Sequence, residues 1–406
     1  MQDLDPATNM PVIRVCHLGK YYPPAPGGIE SHVRTLALAQ AGLGVEVQVF
    51  CINHQTGPTV AERDGPVEVV RFGRAASAAK LDVCPGLRPA LARVETDIVH
   101  LHVPNPAMIL ALLGSRIRAP VVVTYHSDLI RQRIRGALFR PLERLAYRRV
   151  RAILPTSPLY AAGSRFLRSY ADRLQVLPHG IDLEPFLEPS TADRDEAARI
   201  REHYTGPLWL GCGRLVYYKG FLNAIRALTR VRGTLLLIGE GPDQPALEDE
   251  ARRLGVRERV VFLGNVPKVV PYYLAADAFW FPSNARSEAF GIVQVEAMAS
   301  GCPVINTQIP HSGVSWVSRH EKTGLTVPVN DPVALADTAN RLLTEPGLRD
   351  RLAAGARARA IGEFDHRTMA ERSLAIYRRV LAGEIRAQPA ERAVPIAGQE
   401  SVLGSR

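Results

Sequence analysis

Short apolar runs alternate with helical segments along this chain, stop at a polar stretch, and then start again. Apolar runs bounded by turn residues predict buried strands, and the amphipathic segments between them predict crossover helices. Strands joined by helices form parallel sheets that are covered on both faces, so the chain is restricted to α/β architectures. The predicted strands are residues 12–18, 45–52, 67–72, 98–102, 121–125, 152–154 and 174–177 in the first series, and 208–212, 234–238, 260–263, 278–281, 304–306 and 325–327 in the second.

The break between the two series predicts two domains. Residues 178–180, Pro-His-Gly, end the first alternation, and the polar stretch 188–205 looks like a linker with a helical portion. A chain of 406 residues is also too long for one ordinary core. We therefore expect two doubly wound, Rossmann-like domains facing a cleft, where ligands bind at the carboxyl ends of the strands. The expected divisions are residues 1–187 for the first domain, 188–365 for the second, 366–386 for a last amphipathic helix and 387–406 for a disordered tail.

Composition indicates a cytoplasmic protein. The acidic first residues lack the basic start and apolar core of a secretory signal, and no apolar run approaches the ~20 residues that cross a bilayer. The five cysteines form no CxxC pair and most lie in or beside apolar runs, which fits a reducing compartment better than disulfides or a metal site. We expect a cytoplasmic location, and attachment to the inner face of the plasma membrane depends on the segment described next.

The segment from Arg131 to Arg151 is strongly basic, in a chain whose net charge is +10. Eight arginines there accompany one acid, Glu143, and apolar residues at helical spacing form a stripe, with Pro141 starting a second helix. Such a segment can bind an anionic membrane surface. The alternative is a helix that packs its stripe on its own domain and leaves the arginines in solvent. Nucleic acid is disfavoured, because no nucleic-acid motif or aromatic platform accompanies the arginines.

Two carboxylates flank the start of a short helix in the second half. The helix is predicted to begin near Gly291 and end at Gly301, with Glu288 in the loop before it and Glu296 in its first two turns. The free N–H groups of residues 290–293 form an anion site between the two carboxylates. This suits a nucleotide sugar, which has hydroxyls at both ends and phosphates in the middle. The alternative is a chance spacing of two solvated glutamates.

Two glycine-containing loops lie where phosphates would be held. The loop 211–220 follows a strand and carries Arg214 and Lys219, whose charges would neutralise a departing diphosphate. The alternative is a pair of exposed basic residues beside a helix start. Gly27 and Gly28 open the first helix of the other half and form a weaker anion pocket, or a plain tight turn. Neither loop reads GxGxxG, which disfavours a dinucleotide cofactor.

Histidines occupy two predicted strands of the first half and their ends. His126 ends one strand at the cleft edge, and His100 and His102 flank a neighbouring one. Their strand positions are separate and no third type of ligand has fitting spacing, so we do not expect a metal site. We expect His126 to hydrogen-bond a sugar hydroxyl, while a structural role competes for His100. No acidic pair follows a strand, so we expect no essential divalent ion and no cofactor.

Four motifs, in this order, resemble a known family. They are GGIE at residues 27–30, YHSD at 125–128, GRLVYYKG at 213–220 and EAFGIVQVE at 288–296. Together they resemble the retaining glycosyltransferases of family four (glycosyltransferases group 1), which have the GT-B fold and include bacterial mannosyltransferases. The resemblance covers about residues 12–381 and implies that the last helix crosses back to brace the first domain.

The resemblance implies a role for each matching residue. Arg214 and Lys219 would bind the diphosphate, and Glu296 the ribose hydroxyls. Glu288 would hold the outer hydroxyls of the donor sugar, and His126 would contact that sugar near its reacting carbon. Further donor contacts are implied, chiefly through the main chain, for Gly28, Gly213, Val266, Phe290, Gly291, Ile292 and Val293.

The resemblance implies transfer with retention at the anomeric carbon, by front-side attack assisted by the leaving phosphate. We expect a hexose, with mannose from GDP-mannose preferred, to reach a lipid-linked or saccharide acceptor in cell-surface polysaccharide synthesis, such as that of lipopolysaccharide. A UDP-sugar donor, a nucleotide-sugar epimerase on the same fold and a non-catalytic binder are the alternatives. Tyr21, Tyr22, Asn105 and the loop 307–313 are candidates for acceptor or sugar selection.

Overall fold

The computed structural model describes residues 12–78, 81–128 and 133–385. The tail predicted to be disordered, 387–406, lies outside these described residues, as does Arg131 at the start of the basic segment.

The first part of the chain forms a mixed sheet and a small separate hairpin. Its strands are β1 (Arg14–Leu18), β2 (Glu46–Ile52), β3 (Val60–Asp64), β4 (Val67–Phe72), β5 (Ala76–Ala78), β6 (Leu81–Val83), β7 (Ile98–Val103), β8 (Val121–Tyr125) and β9 (Val150–Pro155). Over the described residues the sheet has the order β3-β4-β2-β1-β7-β8-β9, and all neighbours are parallel except β3 and β4. Strands β5 and β6 pair only with each other.

Helices cover both faces of this sheet and lead to the second half. They are α1 (Gly28–Ala41), α2 (Leu87–Arg93), α3 (Pro106–Gly114), α4 (Arg133–Tyr147), α5 (Pro158–Gly163), α6 (Glu184–Leu187) and α7 (Thr191–His203), with a 3₁₀ turn at Leu167–Arg173. The polar stretch expected to be a linker contains α7, which begins with a capping box. There Ser190 accepts from the backbone of Asp193, and Asp193 accepts from the backbone of Ser190.

The second half repeats the plan with an all-parallel sheet. Its strands are β10 (Leu208–Cys212), β11 (Thr234–Ile238), β12 (Val260–Gly264), β13 (Ala278–Phe281), β14 (Val304–Thr307) and β15 (Gly324–Val327). Their order is β12-β11-β10-β13-β14-β15. The helices are α8 (Phe221–Ala227), α9 (Gln244–Arg253), α10 (Val270–Ala275), α11 (Ile292–Ala299), α12 (Val314–Val317), α13 (Pro332–Thr344), α14 (Leu348–Phe364) and α15 (His366–Leu381), with 3₁₀ turns at Tyr217–Lys219 and Arg257–Arg259.

The predicted α/β class, with two Rossmann-like units, is confirmed, but two details of the first sheet are wrong. Residues 174–177 do not form a strand and contribute only an isolated bridge from Leu174 to Ile153. Strand β3 was not predicted, because its residues are largely exposed and polar and carry no buried apolar run. It pairs at the sheet edge, where a strand needs little apolar surface.

The last helix returns to the first half, as expected. Met369 and Tyr377 of α15 are buried in the same core cluster as Val33 and Leu36 of α1. The chain leaves the first half and re-enters it at adjacent points, because the backbone near Ile181 bonds that of residues 364–366. The two crossings therefore form one hydrogen-bonded junction.

The basic segment forms one helix, α4, rather than two. Pro141 lies inside it, so the expectation that Pro141 starts a second helix is wrong. Leu142 and Leu145 are 40% and 45% exposed, so this part of the apolar stripe does not pack fully on its own domain. Within the described ranges, no helix has both the length and the apolar character to cross a membrane.

Candidate active site

The loop after β10 and the loop after β13 meet in a buried ion pair. Nζ of Lys219 lies 2.6 Å from Oε2 of Glu288, and each side chain is 12% exposed. Burial alone would lower the pKa of Lys219, but the charge and hydrogen bond of Glu288 raise it above its ordinary value. The ammonium also lies 5.1 Å from the centre of the Phe281 ring. Lys219 is therefore a fixed cation at the carboxyl edge of the sheet.

The glycines of the first loop let this cation approach the backbone. Gly213 has φ +139°, and a Cβ there would lie 3.2 Å from Cε of Lys219. Arg214 follows it and is exposed. Among the described residues no carboxylate pairs with the Arg214 guanidinium, so its charge is available to a ligand. The structure thus brings two cations to one loop, one buried and one open.

Helix α11 begins where the sequence predicts. Gly291 is its N-cap with φ +78°, and a Cβ there would lie 2.7 Å from the Phe281 ring, so only glycine fits. Glu296 on this helix accepts a hydrogen bond of 2.9 Å from the hydroxyl of Tyr273. Burial raises the pKa of Glu296, while Tyr273 and Lys219 oppose that rise. The carboxylate is positioned to accept from ligand hydroxyls.

Two helix N-termini from different halves face each other here. Gly28 is the first residue of α1, and a Cβ built on it would lie 4.0 Å from Cδ1 of Ile292, the first residue of α11. Each helix start carries the positive end of a helix dipole and N–H groups without intrahelical partners, of which that of Glu30 in α1 is bonded by the Glu30 carboxylate. Two such ends, together with Lys219 on its pair with Glu288 three residues before the N-cap of α11, supply the kind of positive potential that a diphosphate requires.

The ring of His126 lies beneath this edge rather than free in the cleft. Its Nε2 is 3.2 Å from Nδ1 of His102, and its Nδ1 is 3.4 Å from Nε2 of His179. Burial lowers the pKa of His126 well below its ordinary value. The expectation that the histidines occupy separate positions is wrong, because parallel pairing of β1, β7 and β8 places their side chains together. The contact of His126 with a sugar stays a prediction.

Two of the three residues predicted to select the acceptor have structural partners. Tyr22 is only 1% exposed and its hydroxyl donates to Asp64 at 2.8 Å. Asn105 is buried, and its Oδ1 caps α3 by accepting from the backbone of Met108. These placements argue against an acceptor contact for either side chain, whereas Tyr21 is only partly buried.

The remaining predicted donor residue lies at the edge of the same surface. Val266 follows β12 and packs partly against the core of the second half. Because β12 is parallel to β11 and β10, its carboxyl end lies on the side that carries the cation loop. A base held by backbone contacts near Val266 stays a prediction.

One contact between the halves was missed by the sequence analysis. Arg286 forms an ion pair with Asp128, donates to the carbonyl of Tyr160 at 3.1 Å and lies 4.2 Å from the centre of that ring. Arg286 is two residues before Glu288, and Asp128 is two residues after His126. A lone arginine and a lone aspartate give no spacing signal, so only the fold reveals the pair.

Comparison with known proteins matches both halves of the chain to family models. Residues 193–359 match the model described as glycosyl transferases group 1. Residues 27–180 match the model described as glycosyl transferase 4-like domain.

Relatives and solved structures agree with these matches. The chain is 33% identical over 356 residues to the D-rhamnosyltransferase WbpZ of Pseudomonas aeruginosa, covering 86% of this chain and 91% of that protein. It is 31% identical over 357 residues to the O-antigen chain mannosyltransferase C of Escherichia coli, covering 86% and 93%. The fold is similar to that of a sucrose-phosphate synthase from Thermosynechococcus elongatus, with a TM-score of 0.75, 23% identity, and coverage of 91% of this chain and 100% of that one.

Proposed function

Since the chain belongs to the glycosyltransferases group 1 family, whose members have the GT-B fold, we propose that it transfers a hexose with retention at the anomeric carbon. The preferred donor is GDP-mannose, and a UDP-sugar is the alternative. The acceptor is a lipid-linked or saccharide chain in cell-surface polysaccharide synthesis. Relatives named as a rhamnosyltransferase and an O-antigen mannosyltransferase support this class of substrate.

One observation carries the proposal: two helix N-termini from different halves approach each other, and the buried Lys219 pairs with Glu288, three residues before the N-cap of one of them. Gly28 and Ile292 face each other across the gap, and Lys219 and Arg214 lie on the adjoining loop. A diphosphate in the gap would receive backbone N–H groups from both sides and charge from both cations. Such preorganised groups bind most strongly where charge grows as the sugar–phosphate bond breaks.

The carboxylates have separate tasks in this proposal. Glu288 keeps Lys219 charged and oriented, and its remaining lone pairs accept from hydroxyls of the donor sugar. Glu296, held by Tyr273, accepts from the ribose hydroxyls. Neither acts as a nucleophile. The departing phosphate takes the proton of the acceptor hydroxyl, while the acceptor oxygen attacks from the same face.

Transfer in this proposal needs no divalent ion. Lys219, Arg214 and the helix N-termini supply the positive charge that a metal would otherwise bring to the diphosphate. Activity should therefore be unchanged after dialysis against EDTA. A loss of activity restored by Mg²⁺ or Mn²⁺ would contradict this part.

A peripheral place on the inner face of the plasma membrane is also proposed. The exposed Leu142 and Leu145 lie on α4 among the exposed arginines Arg140, Arg144 and Arg148. Apolar side chains flanked by arginines suit the boundary between headgroups and acyl chains. Vesicles with anionic lipid should sediment the protein at low salt, and failure to do so would make α4 ordinary solvated surface.

The site assignment is tested with Lys219→Ala and Glu288→Ala in the purified protein. Each should reduce sugar transfer from GDP-mannose or UDP-glucose at least about 100-fold, because each removes a charged contact and strands its partner. Glu250→Ala is the matched control, since it removes a carboxylate whose ion pairs with Arg226 and Arg253 lie outside the proposed site. Near-normal transfer in both test variants would refute the assignment. Conversion of the nucleotide sugar without any acceptor would instead support an epimerase.

A further inference from the structure

A chain of buried imidazoles runs beneath the proposed active site. Five of its histidines are joined in series by ring nitrogens. The links are His17 Nδ1 to His102 Nε2 at 3.0 Å, His102 Nδ1 to His126 Nε2 at 3.2 Å, His126 Nδ1 to His179 Nε2 at 3.4 Å, and His179 Nδ1 to His32 Nδ1 at 2.8 Å.

Each imidazole in the chain is neutral. Burial lowers the pKa of His17 to about 4 and that of His179 to about 3, and it lowers the pKa of the other three well below the ordinary value. A neutral imidazole has one N–H donor and one bare acceptor nitrogen. When both nitrogens are bonded, each ring must therefore donate on one side and accept on the other.

The direction of the chain is set at its inner end by Gln40. The hydroxyl of Ser373 donates to the carbonyl of Ala370, so its oxygen is left to accept from Nε2 of Gln40 at 2.7 Å. The same amide nitrogen donates to Tyr377 at 3.0 Å. These bonds from α15 orient the Gln40 amide so that its Oε1 faces Nε2 of His17 at 2.8 Å.

A carbonyl oxygen only accepts, so every tautomer follows from this orientation. His17 carries its proton on Nε2 and accepts on Nδ1, so His102 donates from Nε2 and accepts on Nδ1. By the same rule His126 donates from Nε2, and His179 donates from Nε2. The last ring, His32, donates from Nδ1 to His179, so its Nε2 is bare.

This bare nitrogen is buried without a partner. His32 is 3% exposed, and its Nε2 has no hydrogen-bond partner among the described residues. A buried acceptor left in this state costs free energy, so such sites are normally filled. His32 lies one helical turn after Gly28, on the same face of α1. Its neighbour His179 contacts the ring of Phe290, at the edge of the proposed donor site.

We propose that Nε2 of His32 accepts a hydrogen bond from a hydroxyl group of the substrate, and that Gln40 is the positioning residue that fixes its tautomer. This inference rests on the proposed function for the identity of the substrate. Because Nε2 is buried in this arrangement, the hydroxyl reaches it only when the contact between the halves, which includes the Arg286–Asp128 pair, is open. It belongs to the donor sugar or to the acceptor.

His32 acts as a hydrogen-bond acceptor and not as a base. A proton taken up at Nε2 could pass along the rings only as far as Gln40, whose amide cannot hold it. Burial also disfavours the charged form of every ring on the way. The chain therefore holds one orientation and does not conduct protons.

A metal ion is the competing occupant. One nitrogen each of His32, His102 and His126 lie within 4.8 Å of one another. A divalent ion there would take one nitrogen each from His102 and His126, and both nitrogens of each ring are already bonded within the chain.

The tautomers are measured by ¹⁵N NMR of the protein with labelled histidine. In the free protein His32 should be protonated on Nδ1 and bare on Nε2. Gln40→Leu should give mixed tautomers at His32, a change that loss of packing alone would not produce, whereas His203→Phe at the surface should change nothing. A His32 protonated on Nε2 in the wild type would overturn the inference.

Ligands then identify the source of the hydroxyl. If the His32 Nε2 resonance shifts with GDP-mannose but not with GDP, the hydroxyl belongs to the donor sugar. If it shifts only with GDP plus methyl α-mannoside, the hydroxyl belongs to the acceptor. No shift in either case, when GDP-mannose binds, overturns the inference. If neither GDP-mannose nor UDP-glucose binds, the proposed donors are refuted. The tautomer of His32 in the free protein would still test the inference about the histidine chain.

Binding of the sugar gives the second readout. His32→Phe should weaken the binding of GDP-mannose, or of methyl α-mannoside in the presence of GDP, about fivefold, which is the loss expected for one neutral hydrogen bond. The affinity for GDP alone should be unchanged. His32→Gln keeps an acceptor and should recover part of that loss. If His32→Phe weakens the binding of GDP as much as that of the sugar ligand, the inference is overturned. Stoichiometric binding of Co²⁺ or Zn²⁺ that His32→Phe abolishes would assign the site to a metal and overturn it as well.

Discussion

Replacement of Gly28 by alanine should weaken donor binding without lowering the stability of the protein. The new Cβ meets only Cδ1 of Ile292 at 4.0 Å, an ordinary contact, and Gly28 does not need a positive φ. Alanine is the better helix former, so the free energy of unfolding should stay the same or rise by up to about 1 kcal/mol. The methyl group, however, occupies the gap between the two helix N-termini. It should displace one phosphate–amide hydrogen bond worth about 1.5–3 kcal/mol, or about 10- to 150-fold in affinity.

The assay for Gly28→Ala is paired urea denaturation and calorimetric titration with GDP and UDP. We expect unchanged or higher stability together with weaker binding of whichever nucleotide the wild type binds. Wild-type affinity in the variant would refute the placement of the diphosphate between α1 and α11. A large loss of stability would show that the gap is packed rather than open.

Three further outcomes follow from single contacts. Gly291→Ala should lower the free energy of unfolding by about 2–4 kcal/mol in urea, because it forces an L-residue to φ +78° and a Cβ to 2.7 Å from the Phe281 ring; an unchanged value would contradict this. Burial raises the pKa of Glu143 to about 7, so its carboxylate gains a proton as the pH falls from 8 to 6. Binding to phosphatidylglycerol vesicles should then tighten about fivefold, and Glu143→Gln should bind equally at both pH values. Arg286→Asp should raise the KM for the donor, and the added reversal Asp128→Arg should restore part of it; no recovery in the double variant would mean that the pair does not join the halves.

The architecture could be predicted because most of its strands carry buried apolar runs. The series that restarts at Leu208 predicts the second sheet, and each of its six strands matches its predicted position within one residue at either end. Gly291 and the two glutamates were predictable for a local reason: helix termini have their own residue preferences. Strand β3 carries no such signal, since Val60–Asp64 is polar and relies on pairing with β4.

The histidine chain could not be read from the sequence. His17 and His102 lie on β1 and β7, His126 directly follows β8, and His32 lies on α1, so no spacing links them. Only the parallel order of β1, β7 and β8 puts the rings side by side. The hydrogen bond of Tyr22 could not be predicted either, because its partner Asp64 belongs to β3, a strand that was not predicted.

The central claim is that a diphosphate binds between the halves, against the cation loop. Calorimetric titration of GDP and UDP into the wild type and into Arg214→Gln tests it most directly, because Arg214 is exposed and its loss leaves no buried partner. We predict at least tenfold weaker binding with an unchanged Tm of the free protein. Equal affinity in the two proteins would contradict the account.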